Sequence, residues 1–196
     1  SGLEMPDNGN VLLDNEDITG KPGKISYMLQ KDLLLPHKKI IDNVVLGLIV
    51  KGISKKEAYK RSEGLFEAFG IEETKELYPN QLSGGMRQRA AFLRTYLSAE
   101  GVALLDEPFS ALDSITKANM HKWYIEMMKK IELSTIFITH DIEEAIYLSD
   151  RIYVLGGNPG TILEEIIIDK SRDEREEFMM STEFLDYKKM LRNMLA

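Results

Sequence analysis

The residues best suited to chemistry lie at the ends of two short apolar runs. Val102-Ala103-Leu104-Leu105 ends in Asp106-Glu107, and Thr135-Ile136-Phe137-Ile138 ends in Thr139-His140-Asp141. In open α/β sheets ligands sit beyond the carboxyl ends of the strands, so two acids and a histidine emerge on the functional edge. Adjacent carboxylates at the end of a buried strand are costly unless a cation meets them. Mg²⁺ carrying phosphate suits them, because it takes few protein carboxylates and keeps several waters. On the strand alone, capping of the next segment by Asp106 and Glu107 accounts for the pair equally well.

A second cluster reads Leu82-Ser83-Gly84-Gly85-Met86-Arg87-Gln88-Arg89. Two glycines in the first turn of a helix cost about 1 kcal/mol each relative to Ala. They provide bare N–H groups and close approach at the positive end of the helix dipole, where an anion is favoured. Arg87 and Arg89 stand where an isolated helix prefers acids, which points again to a negative partner. A plain Gly-Gly turn explains the glycines but not the whole eight-residue text.

The elements that must position these groups follow from periodicity. Val11-Leu12-Leu13 and Ile25-Ser26-Tyr27-Met28 read as short strands between turn formers such as Asn15, Gly20, Pro22 and Gly23. Residues 40–97 read as helical, with Ile41, Val44, Val45, Leu48 and Ile49 on one face. Ser54-Lys55-Lys56-Glu57 is a capping box for a helix that buries Ala58, Leu65, Phe66 and Phe69 and closes at Gly70. Ser83 caps a third helix with Met86, Ala90, Leu93 and Leu97 at helical spacing. Residues 102–105, 135–138 and 152–155 are continuous apolar runs, separated by helical segments over 114–130 and 142–148. Such runs predict strands of a parallel sheet covered on both faces. Gly156-Gly157-Asn158-Pro159-Gly160 then turns into the apolar stretch 161–168. Residues 164–177 hold seven acids and three bases and read as a solvated face. A last helix capped by Ser181 runs to Leu195. His121 and Trp123 read as surface and packing residues, and the ten methionines as core fillers.

Composition bounds the answer. With 196 residues, 43% hydrophobic and 29% charged, the chain can bury a core, which excludes global disorder and collagen-like structure. The longest apolar stretch, 44–50, is too short to cross a bilayer. The absence of Cys excludes disulfides and Cys-ligated metal, and a net charge of -7 argues against nonspecific nucleic-acid binding. Ser1-Gly2 precede the first Met, Met5, and no signal segment follows.

Together these residues resemble the nucleotide-binding domain of ABC transporters over essentially the whole chain. Residues 82–88 match the family's signature motif, 103–107 the Walker B strand with its glutamate, and 108–113 the D-loop. His140 with Asp141 matches the H-loop, and Gln30 the Q-loop. The resemblance implies a P-loop NTPase-like α/β fold: a parallel sheet core, an inserted helical subdomain and a C-terminal helical tail. The expected division is a β remnant with the Q-loop over 1–35, a helical subdomain over 36–97, the core over 98–168 and a tail over 169–196. It implies ATP and Mg²⁺ at a site shared between two such domains. Asp106 would hold Mg²⁺ through water, and Glu107 would polarise or deprotonate the attacking water. His140 would contact the γ-phosphate, and Gln30 the metal or water. Ser83, Gly84, Gly85 and Gln88 would face the nucleotide of the opposite subunit, with Asp113 crossing near it.

The family's P-loop, Gly-x-x-x-x-Gly-Lys-Ser/Thr, is not found in these residues; Gly47 to Ser54 has the glycine spacing but Ile53 at the lysine position. Residues 1–9 resemble the text just after the P-loop helix, so the expectation is a chain that starts partway through its core. Such a chain binds ATP poorly alone and exposes apolar surface that favours self-association. Leu34-Leu35-Pro36, Asp42-Asn43-Val44, residues 158–166 and residues 183–189 resemble nitrate, sulfonate and taurine type importer ATPases, although His37 stands where that group often has tryptophan. The resemblance implies transmembrane permease subunits, a second ATP-binding subunit and, indirectly, a solute-binding protein as partners, at the cytoplasmic face of the membrane and without nucleic acid. The region from Gln30 through Ile41 suits docking on the permease and an ordinary helical core equally. A competing reading is a non-hydrolytic module that presents Ser83-Gly84-Gly85 to a complete partner ATPase. The ABC ATPases of DNA repair or translation fit less well, because no coiled-coil insertion or tandem domain is present.

Overall fold

Short strands with turn-forming residues open the chain. A computed structural model describes residues 1–195. β1 (Leu12–Leu13) and β2 (Glu16–Asp17) pair antiparallel. Asp14 and Asn15 turn the chain between them at φ 50° and 67°, a left-handed backbone that Asp and Asn tolerate better than most residues. β3 (Ser26–Met28) follows. The helical stretch is more broken than its periodicity predicts. The face from Ile41 to Ile49 is split between α1 (Ile40–Val44) and α2 (Leu46–Val50). A Cβ at Gly47 would lie 2.0 Å from the Ser98 hydroxyl, so any side chain there forces Ser98 to shift. The helix expected from Ser54 to Phe69 is likewise two pieces, α3 (Lys55–Ser62) and α4 (Leu65–Ala68). Gly64 separates them at φ 77°, a conformation that ends a right-handed helix. Ser54 does cap α3, accepting from the Glu57 amide at 3.3 Å, while the Glu57 side chain pairs with Arg61 instead of closing the box.

α5 (Gly84–Ser98) is the long rod of this region, and it starts at Ser83 as its spacing predicts. Phe69 meets Phe92 and Tyr96 at ring separations of 5.9 and 5.7 Å, and buried Ile40, Val44, Phe66, Ala90 and Leu93 complete the apolar interior. β4 (Val102–Asp106), α6 (Ser114–Met128) and β5 (Ser134–Ile138) follow. The sheet order is β3-β4-β5, all parallel, with Met28 opposite Leu105 and Asp106 opposite Ile138. On β4, Ala103 and Leu105 are fully buried. β5 is an edge strand with Ile136 and Ile138 at 59% and 50% exposure, so the expectation of a strand covered on both faces fails there.

The chain divides into two compact units, Ser1–Met120 with Ile131–Ile138, and His121–Lys130 with the chain from Thr139 onward. The second unit contains α7 (Ile142–Leu148), β6 (Arg151–Gly156), β7 (Thr161–Ile167), α8 (Arg175–Phe178) and α9 (Thr182–Leu195). The apolar run of β6 does not join the parallel sheet; it forms an antiparallel hairpin with β7. The connection is too short for a crossover, which leaves antiparallel pairing as the only solution. Ile146, Ile152, Val154, Ile166, Phe178, Phe184 and Leu191 form its core. Within the acidic run, Arg175 is not solvated at all. It is 1% exposed and donates to the carbonyls of Ile146 and Ser149, each at 2.9 Å, and to the Asp150 carboxylate at 3.1 Å. His121 is also more than a surface group: its Nε2 lies 2.8 Å from the buried Glu144 carboxylate.

Asn43, fully buried on α1, makes four hydrogen bonds. Its Oδ1 accepts from the Leu35 amide at 2.6 Å, and its Nδ2 donates to the carbonyls of Leu35, Lys38 and Lys39 at 3.2, 3.1 and 3.1 Å. Asn43→Ala removes the partner of the Leu35 amide and the side-chain bonds to the three carbonyls, and lowers the unfolding free energy by about 2 kcal/mol, read as a fall in the urea midpoint at constant m-value. Arg175→Met destabilises the second unit by a similar amount, measured by amide exchange of α7.

Candidate functional site

The site begins where β4 runs out. Asp106 is the last residue of β4, and its Oδ2 accepts a 2.8 Å hydrogen bond from the Tyr27 hydroxyl on the neighbouring strand. That bond, with some burial behind it, pushes the Tyr27 phenol above its ordinary pKa. Glu107 follows at φ 43°, and its amide donates to the Ile138 carbonyl at 2.8 Å, extending the β4–β5 ladder one residue past the strand. A left-handed glutamate is strained by roughly 1–3 kcal/mol and persists only where neighbours over-determine it, a condition that clusters at functional sites. Gln30, two residues beyond β3, donates through Nε2 to Glu107 Oε2 at 3.1 Å and to the Ser110 hydroxyl at 3.2 Å. Ser110 in turn donates to the Glu107 carbonyl at 2.9 Å. Gln30, Asp106 and Glu107 therefore meet at one sheet edge. Asp113 is exposed and caps α6, accepting from the amides of Ile115 and Thr116 at 3.2 and 3.0 Å. Capping of the next helix falls to Asp113, not to Asp106 or Glu107.

The tip of α5 lies in the same unit. Ser83 is exposed and caps the helix, accepting from the Met86 amide at 3.3 Å. A Cβ at Gly84 would lie 3.2 Å from Leu112, and one at Gly85 would lie 3.3 Å from Thr116, so the glycines also admit the chain that follows Ser110. The arginines do not reach outward for an anion, as their position led us to expect. Arg87 Nε pairs with Asp32 at 3.2 Å and its NH1 donates to the Leu82 carbonyl at 2.9 Å; Arg89 donates to the Gly70 carbonyl at 3.4 Å. Gln88 is buried at 4% exposure, and its Oε1 has no hydrogen-bond partner among the described residues. A cavity of about 390 Å³ opens here, lined by Gln30, Asp32, Gly84, Arg87, Gln88 and Leu112 among others.

His140 belongs to the second unit and is exposed. Asp141 beside it caps α7, its Oδ1 accepting from the amides of Glu143 and Glu144 at 3.0 and 3.2 Å, while its own amide donates to the Thr139 hydroxyl at 3.0 Å. Those bonds fix the backbone on which His140 is carried. The long-range bonds of Tyr27, Ser110 and Asp32 were invisible to sequence reasoning, although Ser110 lies within the D-loop match. Tyr27 reaches Asp106 79 residues away, Ser110 reaches Gln30 80 away and Asp32 reaches Arg87 55 away, and no local spacing announces these pairs.

A parallel sheet that delivers a glutamine and two acids to its carboxyl edge, beside a glycine-led helix tip, has the organisation of an ATP-binding cassette. The fold matches the dimeric, post-hydrolysis structure of the ATP-binding cassette MJ0796 bound to ADP and Pi, with a TM-score of 0.68 and 28% identity, over 86% of this chain and 77% of that one. The family model described as ABC transporter matches residues 1–110, and the chain belongs to that family. It is 48% identical over 157 residues to the formylaminopyrimidine import ATP-binding protein ThiZ of Halalkalibacterium halodurans, covering 80% of this chain and 61% of that protein. It is 38% identical to the nitrate import ATP-binding protein NrtD of Synechocystis sp., covering 89% and 65%, and 36% identical to the taurine import ATP-binding protein TauB of Rhizobium johnstonii, covering 82% and 62%. The chain thus spans less than two thirds of the length of each of these three relatives.

The Asp113 cap is pH-dependent in a definite sense. Hydrogen bonds from Thr116 and Ile115 hold its carboxyl below the usual carboxylate value. A depressed folded pKa means the stabilisation is complete above the unfolded value and is lost as pH falls through the folded one. Asp113→Asn keeps an acceptor at the cap without titrating. The stability advantage of the wild type over this variant shrinks as pH falls from neutral to about 3, in paired urea titrations.

Proposed function

We propose that this chain is part of the ATP-binding and ATP-hydrolysing subunit of an importer, coupling nucleotide turnover to uptake of a small solute. The observation that carries the reading is the cluster Gln30–Glu107–Ser110 beside Asp106, hydrogen-bonded across the parallel strands at their carboxyl edge. Asp106, Glu107 and Gln30 suit a hard cation. Mg²⁺ takes one or two carboxylates plus phosphate oxygens and water, and the Tyr27 bond occupies only one oxygen of Asp106. Asp106 and Gln30 would hold the ion, which when bound neutralises phosphate charge. Glu107 accepts the proton of the attacking water, its carboxylate oriented by Gln30. His140 donates toward charge that grows on the terminal phosphate. Ser83, Gly84 and Gly85 offer the amino end of α5 to the nucleotide held by a second copy, with Gln88 behind them and Asp113 nearby.

The division into a β remnant with the Q-loop (1–35), a helical subdomain (36–97), a core (98–168) and a tail (169–196) belongs to the same reading. So do permease subunits and a second ATP-binding subunit as partners, a solute-binding protein as an indirect one, and a peripheral place on the cytoplasmic face of the membrane. Support comes from the import functions in the names of ThiZ, NrtD and TauB and from the dimer of the MJ0796 cassette. Among the described residues no helix is long and apolar enough to cross a membrane. The transported solute is of the formylaminopyrimidine, nitrate, sulfonate or taurine kind.

These 196 residues contain no Gly-x-x-x-x-Gly-Lys-Ser/Thr cradle, so by themselves they bind Mg²⁺-ATP weakly and hydrolyse it negligibly. Calorimetry on the 196-residue chain tests this: micromolar, Mg²⁺-dependent affinity contradicts it. In a polypeptide that also carries the P-loop, Glu107→Gln lowers kcat by about 10²–10⁴ with nucleotide binding retained. An unchanged kcat removes Glu107 from its role.

A further inference from the structure

Between β3 and α1 the chain runs from Leu29 to Lys39 without helix or strand, so its course is set by side-chain bonds. Most of those bonds on the Gln30 side come from α5. Arg94 spreads its guanidinium over two consecutive carbonyls, NH1 donating to Leu33 at 2.9 Å and NH2 to Asp32. About two turns earlier on the same helix, Arg87 pairs with the Asp32 carboxylate at 3.2 Å. The other Asp32 oxygen accepts from the Leu34 amide at 3.0 Å. Leu33 sits between the clamped carbonyls at φ 45°, a left-handed conformation for an exposed leucine. Such strain survives only under external restraint, and the planar fork of Arg94 is that restraint.

We propose that Arg87 and Arg94 are positioning residues that hold Gln30 against Glu107 by pinning residues 32 and 33 to α5. The same helix carries Ser83, Gly84 and Gly85 at its tip, so one rigid rod bears both the glycine-led end and the anchor of Gln30. A displacement of α5 draws the Asp32 and Leu33 carbonyls with it and slides Gln30 off Glu107 and Ser110, two residues upstream. The glycine tip and the acid edge are thereby linked without any ligand bridging them. The inference rests on the proposed role of Gln30 at the metal or water only for its functional meaning; the clamp itself is a statement about side chains of this chain.

The chain has three glutamines, Gln30, Gln81 and Gln88, so its side-chain amides give three resolvable signals after [15Nε2]glutamine labelling. Glu107→Ala assigns the Gln30 signal and sets its position when the bond to Glu107 is gone. Arg94→Lys keeps the charge but cannot span both carbonyls. It moves the Gln30 signal toward the Glu107→Ala position and speeds exchange of its amide protons with water about fivefold, the equivalent of one ordinary hydrogen bond. Asp32→Asn and Arg87→Ala, both at partly exposed positions, remove the ion pair and each shift it in the same direction by less. Gln81 stays put in all of them. If Arg94→Lys fails to fold, Asp32→Asn and Arg87→Ala carry the test. A Gln30 signal unmoved in folded Arg94→Lys and Asp32→Asn, or unmoved by Glu107→Ala, overturns the proposal. Should the clamp variants move Gln30 while Mg²⁺-ATP leaves it undisturbed in a P-loop-bearing polypeptide, the clamp stands and the metal-contacting role of Gln30 falls.

Discussion

Parallel pairing of β3, β4 and β5 is the constraint from which the site follows. Parallel strands end on the same side, so Gln30 after β3, Asp106 and Glu107 at the end of β4, and the Ile138 carbonyl of β5 reach one edge together. Gln30 and Glu107 are 77 residues apart in the chain yet 3.1 Å apart in space. Antiparallel pairing at either junction would send one of these groups to the opposite edge. The strain at Glu107 is understandable in the same light. Its amide is tied to β5 and its carboxylate to Gln30, so the peptide between them is forced into a conformation glutamate does not choose.

Much of this arrangement was legible beforehand. Apolar runs that end in acids, and a serine followed by two glycines and a helical period, are local signals that fell where their patterns placed them; Gln30 was picked out only through the family resemblance. Local signals do not report partners. The Tyr27 hydroxyl, the Ser110 hydroxyl and the Asp32 carboxylate act across tens of residues, and nothing in their local text tells which group each will meet. The arginines of α5 misled for the same reason: their charge was evident, but their partner was a loop carboxylate and backbone carbonyls rather than an incoming anion.

Pattern reading also overstated regularity. The apolar run of β6 is as continuous as that of β4, yet it forms a one-sided hairpin, with Ile152 and Val154 buried and Tyr153 and Leu155 at 50% and 66% exposure. Hydrophobic content alone does not tell a strand covered on both faces from one covered on one, and the same holds for β5, where Ile136 and Ile138 are exposed. Arg175 is the opposite case. A basic residue inside an acidic run looks solvated, but the carbonyl oxygens at the end of α7 offer a buried cation hydrogen bonds that water would otherwise supply.

Asn43 gives the loop ahead of α1 a mechanical character. With the Leu35 amide and carbonyl and the Lys38 and Lys39 carbonyls all tied to one side chain, that stretch has almost no compliance of its own. α1 is in turn moored by the Ile40 and Ile41 amides to the carbonyls of Leu77 and Lys75. A push delivered at Leu35 is therefore not absorbed by bending of the loop. It bears instead on α1 and, through the bonds of Ile40 and Ile41, on the chain around Leu77.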